Sequence, residues 1–481
     1  MYQSVTFESC SFFIINHLAC KKKRCDIPPC GLLSAFFTIF GNMKRIGLIA
    51  AMLMAATGCT HSNTLMITDM GAVGDGVRDN AEVINSALDS CFRMGGGTVV
   101  IPEGRFLSGT IYLKPGVTLE LAEGAELIAS PALTSYGHYV TDRDLSYYDT
   151  GGGTRNQNCA SDTVWTQALI IAHKADGASI TGRGRIDGGH IVNPLGEEGL
   201  RGPHTILVAE TRDFEISGIS IDRASNYAIL GYELEDCRFS GLTITQGWDG
   251  IHIRGGRGIR ISDCDFATGD DCIAGGRWKG FEITGCSLNS SCNGIRMIMP
   301  SEDFLVKGCS FVGPGRFPHR TSSDKGGNML FAINIEPGAW GEASGDLSGI
   351  KVEDCRADNV LSPFSLTLMD GQHCTDVTID GYNAENCWRM ALSVKSWESA
   401  TIDNVNITNS SFSFVGIPEP GLGDRILSMP KNQWSYFPSF GAYFRNVGTV
   451  RLEDVSFSTV GPDDRQDVLT ENVTTLIRHP A

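Results

Sequence analysis

Two short segments carry the side chains best suited to chemistry. They are Gly247-Trp248-Asp249-Gly250-Ile251-His252-Ile253 and Thr268-Gly269-Asp270-Asp271-Cys272-Ile273-Ala274-Gly275-Gly276. Together they hold three carboxylates, and Asp249 precedes Asp270 by 21 positions. Carboxyl groups forced to share a site repel, which lifts the proton affinity of one of them. A protonated acid beside a charged one is the machinery that cleaves glycosidic bonds: one protonates the leaving oxygen, the other activates water. Either motif alone is ordinary turn chemistry, since Asp-Gly and Gly-Asp favour turns. Two of them argue for a site only where the fold brings them into step.

The surrounding elements supply that step. Asp236-Cys237-Arg238-Phe239 recurs as Asp263-Cys264-Asp265-Phe266, then as Gly285-Cys286-Ser287-Leu288, Gly308-Cys309-Ser310-Phe311, Asp354-Cys355 and Asn386-Cys387. The cysteine steps are 27, 22, 23, 46 and 32, the fourth read as two periods of 23. Alternating apolar runs precede the turns, such as Ile259-Arg260-Ile261, Phe281-Glu282-Ile283, Phe304-Leu305-Val306 and Ile350-Lys351-Val352. Short β-rich units at a fixed period of this length mark a solenoid of strands. The chain is therefore read as all-β, a parallel β-helix whose coils stack because none can bury its inner face alone. Residues one period apart then sit about 4.7–4.9 Å from each other on neighbouring strands. That spacing sets Asp249 beside Asp270 and Asp271 on one face. Both members of the Asp270-Asp271 pair reach that face only if the backbone bends at Gly269, since neighbours on a regular strand point opposite ways. The six repeat cysteines are expected to form an apolar column inside the coils.

Composition narrows the partners. The net charge over 481 residues is −16, which argues against nucleic acid. Local cations near the motifs, Arg254, Arg257, Arg277, Lys279 and Arg296, are the groups able to offset repulsion of an acidic polysaccharide. No Cys-x-x-Cys pair occurs, so the cysteines give no support for a zinc site.

Along the chain, residues 1–42 show no repeat and read as an upstream extension outside the mature protein. Met43-Lys44-Arg45, the apolar run 46–56 and Thr57-Gly58-Cys59 form a charged, apolar and small-residue series. Segment 43–58 resembles a bacterial lipoprotein signal with Cys59 as the lipidated residue, and 59–65 reads as a tether. These features predict an exported lipoprotein, periplasmic or at the cell surface, touching membrane only through that anchor. Residues 66–481 are expected to form one catalytic domain, acting as a monomer. Asp79 and Glu82 suggest a capping box, and Val83, Ile84, Ala87, Leu88 and Cys91 fall at helical spacing, predicting an amphipathic helix that caps the solenoid. Residues 131–165 break the repeat with Tyr136, Tyr139, Tyr147 and Tyr148, and such an insertion is expected to lie over the binding groove. Further breaks occur near 313–328, 337–346 and 413–440, and the polar tail 461–481 is expected to cap the far end or fray.

With these segments in view, the sequence resembles glycoside hydrolase family 28, the polygalacturonase-like pectin hydrolases, over roughly residues 66–400. The resemblance rests on Gly71-Ala72-Val73-Gly74-Asp75-Gly76, Gly95 to Pro102, Ile180 to Gly188, and the aspartates themselves. It implies a right-handed β-helix and hydrolysis with inversion, without a metal or other cofactor. The family pattern Asn-Thr-Asp reads here Gly247-Trp248-Asp249, and the aspartate pair is Asp270-Asp271. Where the family carries Gly-His-Gly this chain has Cys292-Asn293-Gly294, and where it carries Arg-Ile-Lys the nearest strand is Phe331 to Glu336. The departures point to an unusual substrate, a branched pectin, a rhamnogalacturonan linkage or a neutral sugar, with Asn293, Arg296 and His252 as candidate substrate-binding residues. Asp270 is expected to be the general acid, with Asp249 and Asp271 holding the attacking water. Two other classes fit the same residues: a polysaccharide lyase whose aspartates hold calcium, and a glycan-binding lipoprotein without catalysis.

Overall fold

Alternation of apolar and polar residues builds the fold directly. Ile259, Phe281, Phe304 and Ile350 are successive register partners, as are Ile261, Ile283, Val306 and Val352. All eight are buried. In the computed structural model, which describes residues 63–149, 158–321, 327–339, 343–397 and 399–479, thirty-three strands join in one network whose pairings are all parallel. The result is a parallel β-helix with a continuous apolar interior running from Ile67 to Val455. Residues 1–42, the segment 43–58 and Cys59 lie outside the described residues. The end of the expected tether is not a tether: Thr64–Met66 is a strand in register with Thr98 to Val100, because Leu65 packs against the core.

Corners explain the turn chemistry. Asp263, Gly285, Gly308 and Asp354 hold equivalent places with φ of 54°, 63°, 63° and 52°, a left-handed conformation open to Gly and tolerated by Asp. The cysteine after each of these four lies inside, and along this column the thiols of Cys264, Cys286, Cys309 and Cys355 each donate to the carbonyl two residues before, Ser262, Thr284, Lys307 and Glu353. Two of the six expected members belong elsewhere. Arg238 pairs with Arg260 rather than Asp265, so Cys237 sits at a different corner whose Asp236 has the same left-handed turn. Cys387 lies four residues beyond Asn383, the partner of Arg356. The step of 46 is a single coil, not two: Ser310 pairs directly with Arg356, and the surplus chain loops out between them.

The helix Ala81–Arg93 buries Ile84, Ala87, Leu88 and Cys91 against the strands Gly97–Ile101, Ile111–Tyr112 and Val117–Leu121, closing the first coils as expected. Its start differs from a capping box. Asn80 is the N-cap without a side-chain cap bond, and Asp79 Oδ1 accepts the Ala81 N–H at 2.9 Å. Asn80 is spent elsewhere, its amide bonding Val73, Arg78 and Leu107 carbonyls. At the far end the polar tail neither frays nor forms a separate cap: Gln466–His479 is one more strand stacked on Ser439–Thr459. Among the described residues no helix is long and apolar enough to cross a membrane.

Candidate active site

Register decides which acids meet. Ile251 pairs with Ile273 and Ile273 with Ile295, so Asp249, Asp271 and Asn293 occupy one position on three successive coils. Backbone bonds confirm the alignment: Gly250 N–H donates to Asp271 O, and Cys272 N–H to Asn293 O. Asp270 precedes the aligned position, on a bend between Asp265–Thr268 and Ile273–Thr284 rather than on a strand. Strand parity does not apply there, and both carboxylates reach the same space; an oxygen of each lies within 4.8 Å of the other and of Cys292 Sγ. Gly269 makes the bend possible by proximity, since a Cβ there would stand 2.5 Å from Gly247 O. The Asp270 carbonyl is fixed by Thr268 and Ser290 hydroxyls, each at 2.7 Å.

Each acid has its own partners. Asp249 is 4% exposed and accepts from His252 Nδ1 at 2.7 Å. Arg254 Nε donates to His252 Nε2 at 3.3 Å, so the ring proton sits on Nδ1, facing Asp249. Burial, then Arg254 and His204, push the His252 imidazole well below its usual range, which keeps it neutral. Burial, reinforced by the charges of Asp270 and Asp271, holds Asp249 well above the usual carboxylate range. Asp271 is raised for the same reasons, against opposition from Arg296 and the Asn293 amide. Asn293 Nδ2 and N–H both donate to Asp271 Oδ1, at 2.7 and 3.1 Å. Among the described residues Asn293 Oδ1 and Trp248 Nε1 are buried with no hydrogen-bond partner, polar groups suited to a bound hydroxyl or water.

All three acids and the three expected substrate contacts thus come together. Of the remaining candidate cations, Arg254 lies at the site but is fully buried, bonding the Tyr148 and Asn158 carbonyls. Arg257 pairs with Glu235, Lys279 with Glu302, and Arg277 lies over the Tyr147 ring, all away from the acids. Two functional groups were not anticipated. Arg201, 5% exposed, stacks 3.8 Å from the Trp248 ring centre and reaches Asp270 Oδ2 at 3.3 Å. His319 Nε2 lies 3.4 Å from the same oxygen. Both come from irregular segments, where no period announces position. Asp270, Asp271 and Cys292 could offer ligand atoms to a cation, but two carboxylates and a thiol are a poor set for calcium, which takes six to eight oxygens.

Three carboxylates converge on one stacked-strand groove, an arrangement chemically able to donate one proton and accept another. Residues 150–297 match the profile of Glycosyl hydrolases family 28, and over that stretch the chain is similar to the family. A probable polygalacturonase of Vitis vinifera is 23% identical over 320 residues, 62% of this chain and 60% of that one. An exopolygalacturonase of Zea mays is 23% identical over 372 residues, 66% of this chain and 82% of the other. Among solved structures, the family 28 exopolygalacturonase of Yersinia enterocolitica superposes with a TM-score of 0.61 at 15% identity, over 86% of this chain and 78% of that one. PfbA, a surface adhesin of Streptococcus pneumoniae, superposes at 0.57 and 13% identity, over 86% and 91%. The chain spans about 60% of the grapevine relative's length. Likeness to an adhesin as well as to an enzyme means that fold alone does not fix activity; the site must.

Proposed function

We propose that the chain is a glycosidase acting on a pectin-type polysaccharide, galacturonan or rhamnogalacturonan-like, by inverting acid/base hydrolysis. The observation that carries this reading is the meeting of Asp249 and Asp271 on successive coils with Asp270 beside them. In the proposed reaction Asp270 protonates the leaving oxygen. Asp249 and Asp271 hold the water and take its proton. Water attacks the anomeric carbon as the glycosidic bond breaks, so the configuration inverts. Arg296, whose charge bears on Asp271, is placed to meet a sugar carboxylate beside the acids.

The test is a screen of pectic and neutral oligosaccharides, reading new reducing ends and the anomer of the first product by NMR. Asp270→Asn should lose turnover by about 10²–10⁴-fold, the usual worth of a general acid, with an unchanged melting transition. Near-normal activity in that variant would refute the assignment. One observation favours the second reading, a glycan-binding protein: the uncharged Asn293 where the family pattern has histidine. Binding without new reducing ends would establish it.

The lipoprotein assignment also remains a proposal, supported by the series ending in Cys59. Incorporation of a labelled fatty acid that Cys59→Ala abolishes would establish it.

A further inference from the structure

One outward-facing column runs along the groove floor through register partners: Ile171, Leu207, Leu230, His252, Ala274, Arg296, Asn334, Ser365 and Ser393. Its character changes at the acids. On the N-terminal side the floor is apolar, and Ile171, Leu207 and Leu230 belong to a second apolar cluster separate from the interior core. Beyond the acids it turns polar. A floor that faces water or sugar has no reason to be leucine and isoleucine; these residues are covered by Tyr139, Leu145, Tyr148 and Trp165 from the 131–165 insertion.

The cover is fastened at several points. Glu210 accepts from the Tyr139 hydroxyl at 2.6 Å, Glu233 accepts from Tyr147 and Tyr148, and Arg254 holds the Tyr148 and Asn158 carbonyls. Between this cover and Asp249 stands Arg201, ion-paired with Glu197, Glu198 and Asp270 and stacked on Trp248. Arg201 packs with Asn158, Trp165, Glu197 and Asn226 around a narrow cleft on this side of the acids. Thr321 closes the arch from the opposite loop, donating to Glu198 Oε2 at 2.8 Å. On the groove floor beyond the acids, Arg296, Phe331 and Glu336 are half-exposed.

We propose that the groove is blind on the N-terminal side of the acids, so the site takes the end of a glycan chain and not a stretch of its middle. This rests on the hydrolase reading and specifies it. The terminal sugar sits against the Arg201–Trp248 wall with the scissile bond over the acids, and the rest of the chain leaves across the polar floor.

Two measurements on the full chain test it. In the first, polygalacturonan is digested while viscosity and reducing ends are followed together. The expected result is a single small product from the first per cent of cleavage, with viscosity nearly unchanged. A ladder of oligomers with early collapse of viscosity would overturn the blind end and leave the glycosidase reading intact. In the second, Asp270→Asn is titrated with galacturonan oligomers of increasing length at equal mass. Binding to chain ends weakens in proportion to length, whereas constant binding per unit mass would show an open groove without any need for turnover. Neither cleavage nor binding of any pectic or neutral glycan would remove the hydrolase reading and the blind end together.

Discussion

His319 and Asp270 meet across the mouth of the site, with Nε2 3.4 Å from Oδ2. The Thr321 N–H donates to His319 Nδ1 at 3.3 Å, which leaves the ring proton on Nε2, facing the carboxylate. The ring also stands edge-on to Trp248, with centroids 5.6 Å apart. A loop therefore brings a histidine to the acids although the strand position nearest them holds Asn293.

That pairing predicts an asymmetry between two variants. His319→Gln keeps an N–H donor and should retain most activity. His319→Ala should lower kcat/KM roughly tenfold, about the worth of one hydrogen bond to a charged group. Equal losses in both would show that the ring acts through packing against Trp248 alone.

Asp249 should cost stability at neutral pH. Its proton affinity is raised on folding, so between the ordinary carboxylate value of 3.8 and its raised folded value the native state binds more protons than the unfolded chain. Stability is then full at low pH and falls as pH rises through that window. Asp249→Asn should melt a few degrees higher than the parent at pH 7, the gap closing in acid. Calorimetry across pH reads this directly, and an unchanged or lower melting point at pH 7 would contradict it.

Lys395 offers a test of opposite sign. It is 8% exposed, donates to Thr367 and Ser393 hydroxyls at 2.7 and 3.3 Å, and lies 5.4 Å from the Phe437 ring centre. Burial pushes its ammonium down from 10.5 to about 8. Between those values the unfolded chain binds the extra proton, so stability should rise with pH from about 8 to 10.5. Lys395→Met removes the charge and keeps the length, and should abolish that slope. A slope that survives would assign it to another group.

Thiol labelling separates buried from accessible cysteines. Among the described residues Cys159 alone is half-buried, while Cys91, Cys237, Cys264, Cys272, Cys286, Cys292, Cys309, Cys355, Cys374 and Cys387 are buried. Alkylation of native protein followed by peptide mapping should modify Cys159 first and the interior column only on unfolding. Rapid native labelling of Cys286 would mean that the coils open readily.

Much of the fold was legible because it is periodic. Runs such as Phe281-Glu282-Ile283 carry their own facing rule, and Asp249 and Asp271 inherit their meeting from the pairing of Ile251 with Ile273. Misreadings arose where the same local pattern serves two purposes. Asp236-Cys237 and Asp263-Cys264 look alike because both turn a corner, yet they turn different corners. The step from Cys309 to Cys355 looked like two coils because length alone cannot distinguish a rung from a loop. Arg201 and His319 were illegible for a stronger reason. Their segments obey no repeat, and their positions follow from what they touch, Trp248 and Asp270, rather than from spacing.

The wall of packed rings has a kinetic consequence. Tyr139, Tyr148 and Trp165 are fastened as core, not hung as a flap, so on the proposed blind groove a freed sugar would find no rear exit among the described residues. It must back out through the mouth that admitted it, and the shortened polymer must first step aside. On that proposal successive cuts on one strand would require release and recapture, a distributive mode whose pace is set by how fast the docked polymer lets go.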